Sequence, residues 1–188
     1  MLVINFGPFP VLKTERLILR EMVESDAEAL LFLRTDPVVM KYLDRPKMES
    51  IEKAREFIGM VGNNFTQNEG INWAISIGDD PAMIGNICIW RIDKPHYRGE
   101  IGYAMHPAFH GQGIMQEAMR VVLNYGFNEM RLHSIEANVN PENLASIRLL
   151  ERHGFRREAY FRENYYFEGT FMDSAIYSLI GREFFALG

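Results

Sequence analysis

Apolar and polar positions along the chain change period several times, and each change marks an element. "TERLILREM", residues Thr14 to Met22, alternates closely enough to predict a strand beginning near Glu15. "ESDAEALLFL" follows, with Ser25 placed to cap a short helix and Glu28 three residues later to complete a capping box. Beyond breaks at Pro37 and Pro46, Ile51, Ala54, Phe57, Ile58 and Val61 share one stripe of a second helix, "SIEKAREFIGMVGNNF". Strand patterns then come in series: "INWAISI", "AMIGNICIWRI" and "YRGEIGYAM". Gly78-Asp79-Asp80-Pro81 separates the first two, and Pro107 ends the third.

Helical spacing returns from Ile114 to Phe127, where Ile114, Ala118, Val121, Val122 and Tyr125 face one way. "HSIEANV" predicts another strand. In "NPENLASIRLLERHGF", Asn140 stands as a cap, Pro141 at the first helical position and Gly154 as the stop. "FRENYYFEGTFMDSAIYSLI" reads as a hairpin turning at Glu168-Gly169-Thr170. The order βααβββαβα followed by two strands predicts a mixed α/β domain with a strand–helix–strand crossover between parallel strands. No repeat, low-complexity tract or linker divides it. The expectation is a single domain over residues 1–188, with its core at about 14–180.

Composition narrows the classes. A chain of 188 residues supports one sizeable core. A formal net charge of -5 argues against general nucleic-acid binding, so no direct nucleic-acid contact is expected. The basic stretch "WRIDKPHYRGE" reads as a solvated loop. Cys88 is the only cysteine, which excludes an internal disulfide and points to a reducing compartment. The opening "MLVINFGPFP" lacks a basic start and is broken by Gly7, Pro8 and Pro10, the pattern of neither a secretion signal nor a membrane span. The expectation is a cytoplasmic protein, not bound to membrane. Cys88 lies in an apolar strand and reads as an inert thiol. His106 and His110 stand four apart in a loop with no following glutamate of the zinc-protease type, so no metal is expected.

"HGQGIMQEAM", His110 to Met119, sets Gly111 and Gly113 immediately before a helix. Glycine lets a ligand approach the backbone, and the first N–H groups of a helix are unpaired and lie at the positive end of its dipole. Such a turn cradles phosphate, or it is simply a tight cap. The dinucleotide fingerprint fails because Gln116 occupies its third glycine position, and no Gly-Lys-Ser/Thr of a P-loop occurs.

"GEIGYAMHPAFHGQGIMQEAM" followed by "NVNPENLASIRLLERHGF" resembles the GNAT superfamily of acetyl-CoA-dependent N-acetyltransferases, and within it the RimJ/RimL-type branch that acetylates N-termini of ribosomal proteins. The likeness runs from about Thr14 to Ile180. The family's Gln/Arg-x-x-Gly-x-Gly/Ala motif is met by His110-Gly111-Gln112-Gly113-Ile114-Met115, with His110 and Met115 departing from it. The resemblance implies a twisted, mostly antiparallel mixed sheet of about seven strands flanked by about four helices, with a V-shaped splay between two central parallel strands. It implies acetyl-CoA as cosubstrate, its diphosphate on backbone N–H groups of Gly111, Gln112, Gly113, Ile114 and Met115, with His110 adding a side-chain contact. The pantetheine arm is expected along Tyr103, Met105 and His106, with Asn138, Asn143 and Ser146 on the other wall.

Acetyl transfer needs a neutral amine, a held oxyanion and a proton for the leaving thiolate. Deprotonation at pH 7 costs about 1.4 kcal/mol for an α-amine and about 4.6 for a lysine. Glu100, on the strand face of Gly102 and Ala104, is the candidate base, with Glu136 as the weaker alternative. The resemblance puts Ser146 beside the coenzyme sulfur, and a backbone N–H near Tyr103 to Met105 beside the oxyanion. The expected acceptor is a protein N-terminal α-amine. A polyamine, amino acid or aminoglycoside is the alternative, as is a coenzyme A sensor without turnover. The hairpin edge could support a homodimer.

Overall fold

The computed structural model describes residues 1–186. Eight strands form one sheet: β1 (Leu12–Lys13), β2 (Leu17–Glu21), β3 (Ile71–Ile77), β4 (Gly85–Asp93), β5 (Arg98–Met105), β6 (Ser134–Val139), β7 (Arg156–Phe167) and β8 (Thr170–Ile180). Their spatial order is β1-β2-β3-β4-β5-β6-β8-β7. Every neighbouring pair is antiparallel except β5 with β6. The helices are α1 (Ala27–Leu33), α2 (Pro37–Met40), α3 (Ile51–Thr66), α4 (Ile114–Asn128), α5 (Leu144–Arg152) and α6 (Gly181–Ala186).

The predicted order holds, with three short additions: β1, α2 and α6. Pro37 does not break the chain. It occupies the first position of α2, where its missing N–H costs nothing, and Asp36 caps the turn by accepting from Val38 and Val39. The strand placed near Glu15 begins at Leu17. Residues Ala82 to Ile84 stay outside β4.

Two caps differ from expectation. Ser25 does not cap α1. Asp26 instead accepts from the Val23 N–H at 2.8 Å and takes a two-pronged ion pair from Arg20, at 2.7 and 2.8 Å. A fork from arginine holds that carboxylate better than a lone hydroxyl could. Asn140 does not open α5 either. Its side chain turns the backbone by accepting from Glu142 N–H, and Asn143 caps the helix by accepting from Ser146 N–H at 3.1 Å. The helix therefore begins at Leu144.

Burial explains the layering. In α4, Ala118, Met119, Val122 and Leu123 are fully buried on one sheet face, in a core that includes Ile87, Ile89 and Ile135. The other face is covered by α1 and α3, with Leu30, Leu33 and Ala54 clustered with Met22, Ala74 and Met83. Leu2, Ile4 and Phe6 also enter the larger core, and the fully buried Trp73 donates its indole N–H to Pro10 O at 2.8 Å. The β7–β8 hairpin turns on Glu168 and Gly169, both at positive φ, as a two-residue turn demands. Among the described residues no helix is long and apolar enough to cross a membrane.

β5 pairs with β4 as far as Met105, but with β6 only from Arg98 to Glu100. Past Glu100 the parallel strands part, leaving Ile101–Met105 and Ala137–Val139 facing each other without a ladder.

Candidate active site

The turn after β5 is built to expose backbone donors. Gly111 and Gly113 both sit at φ +74°, a region that side chains with a Cβ rarely enter. Among the described residues, no N–H group from Gly111 through Gln116 has a partner within the fold. Ile114 is buried in the core and Met115 packs against it, so both turn only their amides outward. A Cβ on Gly111 would meet nothing within 4 Å. Open space, six free donors and a helix N-terminus suit a diphosphate.

His110 departs from the family motif, and its ring is engaged elsewhere. Its Nε2 lies 2.9 Å from Met105 O, bracing the turn to the end of β5. Gln112 similarly donates to Ala108 O. His106 is stacked on Phe32 with ring centroids 4.3 Å apart, and its Nδ1 accepts from Ala108 N–H.

Sequence reasoning passed over Arg16. It reaches across from the start of β2, donates to Gln112 O at 3.2 Å and pairs with Glu117 at 2.6 Å. Burial pushes Glu117 up, yet bonds from Thr14 and Arg16 win and hold it below the usual carboxylate range. Arg16 sits in "TERLILRE", whose alternation marks a strand. Its proximity to the glycine turn has no local signal, because nearly a hundred residues separate them.

The parted strands open a cleft of about 260 Å³. The His106 N–H bonds Ile84 O, so alternation turns the N–H groups of Tyr103 and Met105 the other way, into the gap. Asn138, Asn143 and Ser146 line it from the far side. The Asn143 carbonyl oxygen is committed to capping α5.

Tyr103 and Ser146 meet across this gap, hydroxyl to hydroxyl, at 2.6 Å. Burial pushes the Tyr103 phenol up to about 12, against the opposing effect of Ser146. The expectation for Tyr103 covers its place on the cleft wall but not this hydroxyl pairing, since nothing along the chain tells which side chain α5 will face.

Glu100 lies at the apex of the split, on the cleft wall. Desolvation pushes its carboxyl above the usual range, opposed by Arg91 at 3.0 Å. Glu136, its register partner on β6, stands 3.8 Å from Arg98 and is not among the cleft-lining residues. Cys88 is on the cleft floor, its thiol raised by burial to about 11 and so protonated at neutral pH. Among the described residues, no three His, Cys, Asp or Glu side chains gather to hold a metal. From the loop between α2 and α3, Tyr42, Leu43 and Arg45 line the cleft, whereas no residue of 160–170 does. The hairpin acts at one remove, through a hydrogen bond from the Tyr165 hydroxyl to Asp44 O.

The chain resembles known proteins over most of its length. Residues 16–156 match the acetyltransferase (GNAT) domain. The chain belongs to the GNAT family. The N-acetyltransferase YoaA of Bacillus subtilis, itself uncharacterized, is 37% identical over 172 residues, covering 92% of this chain and 97% of that protein. The ribosomal protein uS5-alanine N-acetyltransferase of Escherichia coli is 25% identical over 123 residues, 65% of this chain and 63% of its own length. The crystal structure of a GNAT acetyltransferase from Bacillus anthracis superposes with a TM-score of 0.80 at 30% identity, covering 93% of this chain and all of that one. This GNAT protein is accordingly an N-acetyltransferase of the RimJ/RimL-like branch, acting on an amine.

Proposed function

We propose that this enzyme transfers acetyl from acetyl-CoA to a protein N-terminal α-amine by direct attack, with no acetyl-enzyme stage. The observation that carries the reading is the parting of β5 from β6 between the free amides at Gly111–Gln116 and Glu100. The cosubstrate supplies an activated acetyl thioester. The chain does the rest. Free amides of the glycine turn hold its diphosphate, and the inward N–H groups of Tyr103 and Met105 align its arm. One of those two donors also faces the acetyl oxygen as it gains charge.

Glu100 takes the proton from the incoming ammonium, directly or through water. Its raised affinity for protons makes it a better base than an exposed glutamate. Ser146 hydrogen-bonds the departing sulfur, and Tyr103 fixes the serine hydroxyl and passes a proton through it. The kinship to an enzyme named for an alanine of ribosomal protein uS5 supports a protein amine as acceptor. The lower deprotonation cost of an α-amine favours that of the N-terminus.

Tyr103→Phe and Ser146→Ala each lower kcat by about tenfold to a hundredfold, and because the two hydroxyls work as one unit the double variant falls little further. Steady-state kinetics on the three proteins check this. Multiplicative losses would separate the two residues.

The acceptor is tested by thiol release from acetyl-CoA with amidated peptides of free N-terminus, polyamines, aminoglycosides and amino acids. Peptides are expected to give the highest kcat/KM. Binding of coenzyme A without product on any amine would leave a sensor instead.

A further inference from the structure

The charges facing the cleft do not balance. Its charged lining side chains are Arg34, Arg45 and Glu100, in a chain of net charge -5. Glu100 is already answered by Arg91. Among the described residues, neither Arg34 nor Arg45 forms an ion pair. The rest of the polar lining is neutral, chiefly Asn64, Asn72, Asn86 and Asn138.

Arg34 is held with care for a residue without a counterion. It ends α1 with its N–H on Leu30 O, and its carbonyl accepts from Met48 N–H at 3.1 Å. Its guanidinium lies on the Phe57 ring of α3, 4.8 Å from the centroid. Burial, with Arg45 adding repulsion, pushes it down to about 10, so it remains charged at neutral pH. A guanidinium desolvated, stacked and repelled by a second one is an arrangement that an anion relieves. Arg45 comes from the loop that Tyr165 fastens at Asp44.

These arginines are not the diphosphate site. Arg34 and Arg45 line the cleft together with Cys88 of β4 and Glu100 of β5, which places both over the β4–β5 floor. The glycine turn lies beyond the other end of β5. Glu100 to Met105 alone spans about 16 Å of strand. The arginine at that turn is Arg16, bonded to Gln112 O and Glu117.

We infer that the acceptor carries a carboxylate, and that Arg34 and Arg45 grip it so that the amine is presented beside Glu100. The inference rests on the reading of this cleft as the acceptor site. A guanidinium fork takes a carboxylate through two parallel hydrogen bonds, which fixes orientation as well as position. The carboxylate belongs either to a free amino acid or to an Asp or Glu side chain close to a protein N-terminus. A polyamine, carrying only positive charge, is repelled by the same pair.

Equilibrium binding of acetylated products tests this without relying on turnover. The CoA-saturated protein is titrated with N-acetyl-Ala-Glu-amide against N-acetyl-Ala-Gln-amide, and with N-acetylalanine against N-acetylalaninamide. The first pair reports a side-chain carboxylate and the second a main-chain one. In at least one pair the acid is expected to bind about tenfold tighter or better. Arg34→Gln is expected to abolish that preference, and Arg45→Gln to weaken it. Arg45 is exposed, so its variant guards against a folding defect in the first. Equal binding of acid and amide in both pairs overturns the proposal, as does a preference that survives both substitutions. Preferential acid binding in a protein that acetylates nothing would sink the transferase reading alone.

Discussion

Glu100→Gln lowers kcat about a hundredfold or more, while affinity for acetyl-CoA stays within about twofold. Glutamine keeps the size of the side chain and its place on β5, so the loss isolates proton transfer. The pH profile provides an independent check. A base works only when ionised, so activity falls as pH drops through the Glu100 pKa. Desolvation raises that value, hence the acid limb of kcat/KM lies above the ordinary glutamate range near 4.3. Arg91 opposes the rise, so Arg91→Ala moves the limb to still higher pH. In Glu100→Gln the limb disappears. What remains is the climb toward the amine's own pKa, about 8 for an α-amine. Near-normal turnover, or an acid limb unchanged in the glutamine variant, removes Glu100 from the mechanism.

Gly111→Val and Gly113→Val each weaken coenzyme A binding by about fivefold to thirtyfold, as strain of about 1–2 kcal/mol in a left-handed backbone implies. At Gly111 the added methyls point into space that only a ligand would fill, so the loss there is expected to be the larger. At Gly113 the valine enters beside Arg16 Nη2, 3.7 Å from the new Cβ, and disturbs the first free amides of α4. Titration calorimetry with coenzyme A measures both. Undiminished affinity in the two variants would mean that the turn holds nothing, and the assignment of the cleft would fall with it.

The long periodic elements were legible because their patterns are local. α3 and α4 carry apolar residues at helical spacing over four turns, and β3, β4 and β5 are bounded by turn residues. The short elements were not. Two residues of β1 make a strand only because Leu12 and Lys13 pair with Leu19 and Ile18. Caps failed for a related reason. Ser25 and Asp26 both offer an oxygen at the head of α1, yet neither side chain caps it, and Arg20, six residues back, takes the Asp26 carboxylate. Asn140 and Asn143 divide the work at α5 in a way spacing alone does not specify.

The site divides along the same line. Gly111 and Gly113 before a helix announce a cradle from the chain itself, because positive φ and unpaired amides are properties of a few consecutive residues. The alternation of β5 likewise sets Glu100 on the face of Gly102 and Ala104. Which partners those residues meet was a tertiary matter. Arg16 at the turn, Tyr103 against Ser146, Arg91 on Glu100, and Arg34 with Arg45 over the cleft are contacts between distant segments. They depend on how far β5 runs with β6 before the two part. Short-range patterns encode backbone geometry and burial, whereas charge balance and hydroxyl pairing arise only when separate elements are brought within a few ångströms.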